Sequence, residues 1–313
     1  SSSAASDVYK RQRKEGREGR EVSRIVLGCM RIADKPLSRV EELLKTALDS
    51  GVNMFDHADI YGGGESEIRF KEAAKKLGIS REKIVLQSKC GIRKGMYDFS
   101  KEHILSSVEG SLKRLGTDYL DVLLLHRPDA LADPEEVDSA FDELYRSGKV
   151  KAFGVSNFSA RQTELFNRGR YPVVANQLQF SLMHSGMVDE GLNVNMAKAE
   201  SVERGGEVLD YCRLKNITVQ AWSPLNYGMF EGIFVGNDKF PELNKELSRL
   251  AEKYGCAPSA VAFAWILRHP AGMQVIAGTT DPARLKQLCV SADISLTREE
   301  WYSLYLSTGK TLP

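Results

Sequence analysis

Over 313 residues the chain sets 43 Lys and Arg against 42 Asp and Glu, and a formal net charge of +1 offers no basic field for nucleic acid or an anionic membrane. Hydrophobic residues make up 42% and charged residues 27%, an ordinary globular balance with enough apolar mass for a large core. The five cysteines (Cys29, Cys90, Cys212, Cys256 and Cys289) are odd in number and widely spaced, so neither a disulfide framework nor a metal site is expected and a reducing, cytoplasmic setting is the default. Residues 1–20 are rich first in Ser and Ala, then in Lys, Arg and Glu without periodicity, and read as a foreign or disordered lead-in with no signal-peptide core. The folded domain is placed at 21–313. No apolar run in it reaches the length of a membrane span.

From Arg24 onward short apolar runs alternate with amphipathic stretches. The runs are Arg24–Cys29 (RIVLGC), Asn53–Asp56 (NMFD), Lys83–Lys89 (KIVLQSK), Tyr119–His126 (YLDVLLLH), Ala152–Asn157 (AFGVSN), Val173–Gln179 (VVANQLQ), Thr218–Ser223 (TVQAWS) and Met273–Thr279 (MQVIAGT). Their near-continuous apolar character predicts strands buried on both faces. Helical patterns lie between them at Ser38–Ser50, Glu65–Leu77, Ser100–Leu115, Pro134–Ser147, Ser159–Asn167, Gly206–Lys215 and Pro258–His269. Ser38 with Glu41 reads as a capping box, and Asp133-Pro134 as an N-cap followed by the first helical residue. Gly51, Gly78, Gly116 and Gly148 follow helix ends, where the left-handed conformation is wanted.

Strict alternation over about 250 residues predicts an α/β fold of the (β/α)8 TIM-barrel type, with its active site at the C-terminal ends of the strands. A doubly wound sheet would open with a glycine-rich phosphate turn, and none follows Cys29. Most strands end on a polar residue: Asp56, Lys89, His126, Asn157, Gln177 nearby, Ser223 and Thr279. In a barrel those ends converge on one face. Three stretches depart from the repeat: a long polar loop at Gly186–Gly205, a glycine- and aromatic-rich loop at Asn226–Asp238, and an extra helix at Leu243–Tyr254. The tail Thr297–Leu306 reads as a closing helix, with Trp301 and Tyr302 available to pack.

Asp56, Tyr61, Lys89 and His126 fall at or just after neighbouring strand ends and form the candidate catalytic set. A phenol ionises near pH 10, too high for an easy donor at neutral pH, and a nearby ammonium favours the phenolate and lowers that value. Asp56 would keep Lys89 charged and aimed, and His126 would hydrogen-bond a substrate carbonyl.

The segment Gly51–Glu67 (GVNMFDHADIYGGGESE) resembles the aldo-keto reductase signature. Leu120–Pro128 (LDVLLLHRP), Lys149–Phe158 (KVKAFGVSNF), Asn176–Gln179 (NQLQ), Ala221–Leu225 (AWSPL) and Val275–Thr280 (VIAGTT) follow in that family's order, in the manner of its bacterial members. The resemblance implies a nicotinamide-dependent reductase of aldehyde or ketone carbonyls, with Tyr61 as proton donor. It implies that Ser156, Asn157 and Gln177 hold the nicotinamide carboxamide and that Trp222 stacks on the ring. Ser223, Pro224 and Leu225 would line the pyrophosphate, and Gly278, Thr279, Thr280, Arg284 and Gln287 would surround the adenosine end. Met30 and Arg31 would also touch the cofactor. Many members carry a Lys for the 2′-phosphate where this chain has Gly278. Arg284 still favours NADPH through its planar fork of donors, and NADH stays open. The expected partner is a small carbonyl compound, with no nucleic acid and no membrane, and monomer is the expected state. Family members also close the barrel bottom with a hairpin before the first strand, and the residues before Arg24 do not read as one. Two other readings are a cofactor-sensing channel subunit on the same fold and a Schiff-base aldolase using Lys89. The aldolase leaves Tyr61, Ser156, Asn157 and Arg284 unexplained.

Overall fold

The computed structural model describes residues 21–197, 199–202, 207–229 and 231–312. The predicted lead-in at 1–20 and the helix start at Gly206 lie outside them. Eight parallel strands close into a barrel: β1 (Ile25–Gly28), β2 (Met54–Asp56), β3 (Val85–Cys90), β4 (Leu120–Leu125), β5 (Val150–Ser156), β6 (Val173–Gln179), β7 (Thr218–Trp222) and β8 (Gln274–Ala277). Each pairs with its sequence neighbours, and β8 returns to β1 through Ile25 opposite Val275. All eight coincide with the predicted runs to within two residues at each end.

The strand period of two divides the core. Ile25 and Leu27 of β1 join a large cluster with the apolar faces of α1 (Leu37–Asp49) and α4 (Pro134–Arg146). Val26, Met54, Val85 and Ile276 form a second cluster, and Val122, Leu124, Ala152 and Ala175 a third, on the alternate residues that fill the barrel lumen. Space there is tight: a Cβ on Gly154 would stand 2.5 Å from Leu124 Cδ2 and 2.7 Å from the Ala175 carbonyl.

The remaining helices are α2 (Glu65–Lys76), α3 (Lys101–Leu115), α5 (Ala160–Phe166), α6 (Gly186–Leu192), α7 (Val208–Leu214), α8 (Pro241–Tyr254), α9 (Pro258–Arg268), α10 (Pro282–Cys289) and α11 (Arg298–Leu306). Asp133 caps α4 as expected, accepting from the Glu135 N–H at 2.9 Å. Ser38 does not cap α1. That helix begins at Leu37, behind Pro36 held extended at ψ 141°, and Ser38 falls inside the first turn with no side-chain cap bond. Gly186–Gly205 is not simply a loop, because α6 and a 3-10 turn at Ala199–Ser201 occupy part of it. Met187, Val188 and Leu192 pack on the core there, a stripe that the surrounding glycines and polar residues mask in the sequence.

At the barrel bottom, the described residues before β1 are tied to the starts of β2 and β8. The Ser23 N–H donates to Asn53 Oδ1 at 2.8 Å, Asn53 Nδ2 to the Glu21 carbonyl at 2.9 Å, and Gln274 Nε2 to the Ser23 carbonyl at 3.0 Å. At the other end of the chain α11 carries a Thr297–Glu300 capping box and lays Trp301 on Trp265, their ring centroids 4.7 Å apart. Each indole N–H of that pair bonds the other residue's carbonyl. Among the described residues no helix is long and apolar enough to cross a membrane.

Candidate active site

The loop after β2 presents Tyr61 through three consecutive glycines. Gly62, Gly63 and Gly64 have φ of 60°, 66° and 94°, a left-handed path that side-chain-bearing residues resist. A Cβ on Gly62 would also meet Ala33 Cβ at 2.5 Å, so the turn is tight as well as left-handed. It brings the Tyr61 hydroxyl within 3.0 Å of Lys89 Nζ, on the neighbouring strand β3.

Lys89 is fully buried, which is costly for an ammonium unless every donor is used. Here the three N–H donors of Nζ are shared among the two carboxylate oxygens of Asp56 at 2.8 Å, the His57 carbonyl at 2.7 Å and the Tyr61 hydroxyl. Burial alone would pull the ammonium pKa down. Asp56 and Tyr61 outweigh it and lift the value above that of an ordinary lysine. Asp56 Oδ1 accepts in addition from Gln87 Nε2 at 2.6 Å and Gln177 Nε2 at 3.0 Å. From Gln87 a line of buried amides runs through the lumen. Gln87 and Gln220 exchange hydrogen bonds, Gln220 donates to Gln274, and Gln274 reaches the Ser23 carbonyl at the bottom.

Tyr61 corrects the sequence argument in one respect. Burial pushes the phenol above its ordinary value, and Lys89 pulls it down by less, so the net shift is upward. The hydroxyl is thus protonated at neutral pH, and the ammonium stands ready to stabilise the phenolate once a proton has left. The His126 ring lies 6.0 Å from the Tyr61 ring, edge to face. Burial, then the charges of Lys89 and Arg127, hold its pKa down at about 2, so the imidazole is neutral.

These groups share one cavity of about 680 Å³ that crosses the mouth of the barrel. It brings together Tyr61, Asp56 and His126 with Met30, Arg31, Ser156, Asn157, Gln177, Trp222, Ser223, Pro224, Leu225, Gly278, Thr279, Thr280 and Arg284. Lys89 lies beneath its floor. Gln287 sits exposed on α10, outside the cavity wall. Asn157 and Ser223 leave their strands at φ 62° and 50°. Asn157 accepts from the Trp222 indole N–H at 3.0 Å and donates to Ser156 Oγ at 2.8 Å, which fixes the indole as a platform on the wall. Gln177 lines the cavity, and its side-chain carbonyl bonds no described residue. Sequence reasoning passed over Ile60, Ile92, Arg127, Met229 and Ile233, which also line the cavity. Position was the available signal: Arg127 follows His126, and Met229 and Ile233 lie in the flagged loop after β7.

A family model described as the aldo/keto reductase family matches residues 24–305. A 6-dehydroglucose reductase of Agrobacterium fabrum is 36% identical, with 93% of this chain and 96% of that protein covered. The oxidoreductase YdhF of Escherichia coli is 34% identical, over 92% and 94%. Among solved structures, a thermostable aldo-keto reductase, Tm1743, crystallised with the inhibitor epalrestat, superposes with a TM-score of 0.76 at 27% identity, covering 94% of this chain and 98% of that one.

Proposed function

The chain belongs to the aldo/keto reductase family, and we propose that it reduces an aldehyde or ketone to the alcohol with a nicotinamide cofactor and the proton of Tyr61. The observation that carries this reading is the fully buried Lys89, bonded at once to Asp56 and to the Tyr61 hydroxyl on the cavity floor.

The cavity fits a dinucleotide. Trp222 offers a fixed aromatic face, and the Gln177 carbonyl an acceptor for a carboxamide N–H. The guanidinium groups of Arg31, in the loop after β1, and Arg284, on α10 after the neighbouring β8, bond no described residue and are donors for phosphate oxygens. Bound nicotinamide supplies a hydride to the carbonyl carbon. The chain's own residues manage the proton. Neutral His126 holds the carbonyl oxygen beside Tyr61, and the Tyr61 O–H gives its proton to the oxygen as negative charge develops. Lys89 lowers the cost of the phenolate left behind, and Asp56 keeps Lys89 charged and aimed. Arg284 favours NADPH, while Gly278, whose Cβ position faces open space, leaves room for NADH.

A panel of small carbonyls run with NADPH and with NADH in parallel tests the reading. Tyr61→Phe is expected to lower kcat by at least about 100-fold, in the range of lost general acid catalysis, while cofactor affinity stays within about threefold. Turnover near wild type in that variant would remove Tyr61 from the role of donor.

A further inference from the structure

We propose that Arg127 selects the substrate, and that the protein acts on carbonyl compounds carrying a second oxygen acceptor, a carboxylate or hydroxyl, close to the reacting carbonyl. The inference rests on the reductase reading above and concerns the half of the cavity left over for substrate.

Three arginines line the cavity whose guanidinium groups make no hydrogen bond or ion pair to any described residue: Arg31, Arg127 and Arg284. Two other partly buried guanidinium groups are tied down, Arg81 with Asp121 at 2.7 Å and Arg114 with Glu67 at 2.7 Å. Arg31 and Arg284 follow β1 and β8, which are paired neighbours, and serve the cofactor side. Arg127 follows β4, four strands from β8 in a ring of eight and therefore across the barrel mouth. It is the residue after His126, on the wall where the carbonyl is held.

Its surroundings leave the charge uncompensated. The cavity's acidic groups are committed elsewhere: Asp56 to Lys89, and Asp281 to the Ala283 and Arg284 N–H groups of α10, with Arg39 at 3.4 Å. The guanidinium is half-buried, its Cζ 6.0 Å from the centre of the Trp222 ring. Ile60, Ile92, Met229 and Ile233 supply apolar wall. Pro128 restricts the Arg127 backbone to extended conformations, which limits how far the side chain can retreat. A plain alkyl aldehyde would cover this guanidinium and leave its donors without an acceptor, which is costly. A second oxygen on the substrate, near the carbonyl held by His126, would supply the missing acceptor. A carboxylate gains most, because its two oxygens match the planar fork of donors.

The test uses matched pairs, butanal against 4-oxobutanoate and propanal against glyceraldehyde, with wild type, Arg127→Leu and Arg127→Lys. Wild type is expected to favour the oxygenated member of each pair by at least about tenfold in kcat/KM, because a site with a polar donor rejects the analogue lacking its acceptor. Arg127→Leu should lose about 10- to 100-fold on oxygenated members and less than about threefold on plain ones. Arg127→Lys should keep part of the preference for 4-oxobutanoate, in a salt-dependent way, and little of that for glyceraldehyde. Calorimetry with 4-hydroxybutanoate gives a readout without turnover: binding should weaken at least about tenfold in Arg127→Leu. Equal losses on both members, an unchanged preference, or weakened NADPH binding as the sole effect would each overturn the proposal. If wild type turns over neither member of either pair, the reductase reading fails, and the calorimetric comparison then decides the role of Arg127 by itself.

Discussion

A single buried carboxylate organises the floor of the site. Asp56 Oδ1 accepts from Lys89, Gln87 and Gln177, so the carboxylate cannot rotate without breaking bonds to two other strands. Gln87 is the hinge of that arrangement, because it joins Asp56 to Gln220 and thus to the amide line running down the barrel. Replacing Gln87 with Leu removes one donor from Asp56 and leaves a buried Gln220 amide short of a partner, a cost of about 1–3 kcal/mol. The expected result is a kcat lowered by about tenfold together with a displaced alkaline limb in its pH profile, because Lys89 and Tyr61 respond to how tightly Asp56 is held. A lower melting temperature with an unmoved pH profile would make Gln87 a packing residue only. The direction of the Tyr61 shift shows why the sequence alone misjudged it. The partner Lys89 is legible from strand order, whereas the degree of burial, which outweighs that partner, depends on what the completed barrel excludes from water.

The elements were legible to unequal degrees. All eight strands could be read because buried parallel strands leave apolar runs, and those runs end where the polar site residues begin. Helix starts marked by a side-chain cap before Pro were equally plain, as at Asp133. The start of α1 was misread because Ser38 has the right residue type in the wrong place, one residue inside a helix that Pro36 already delimits. The short hairpin of Ile92–Arg93 with Met96–Tyr97 has two-residue strands, too brief for any periodicity to announce it. The glycine run after Tyr61 reads as a loop in sequence, but the structure makes it a positioning device. Gly62→Ala is expected to strain that turn by about 1–3 kcal/mol and to push the new methyl against Ala33. The Tyr61 hydroxyl would then lie further from Lys89. Kinetics should show kcat falling at least about tenfold with cofactor affinity nearly unchanged, and a variant with wild-type kcat would mean that the loop adapts at no cost to the site.

At the scale of the whole molecule, two carboxylates of opposite behaviour predict how stability varies with pH. Burial and the neighbouring charge of Glu67 push Asp59 up to about 6, against 3.8 for a free side chain, while Arg114, Ser107 and the Ile60 backbone only partly oppose them. A raised folded value means that the native state binds its proton more tightly. The stabilisation is therefore complete below 3.8 and is lost as pH rises through 6. Glu300 is the reverse case. Burial opposes its charge, but Lys253, Tyr254 and the Thr297 N–H outweigh burial and hold it at about 2, against 4.5 unfolded. Its contribution is complete above 4.5 and is lost as pH falls toward 2. The two effects frame a maximum in the melting temperature a little above pH 4, set by one group in the loop that carries Tyr61 and another where α11 meets α8. Asp59→Asn should raise the melting temperature more at pH 8 than at pH 4, and Glu300→Gln should lower it at pH 7 but change it little at pH 2.5. Because the two sites lie on separate elements and share no partner, their effects should add in the double variant, whose melting curve would then be flat across the range where wild type peaks. A peak that survives in the double variant would place the dominant titration elsewhere in the fold.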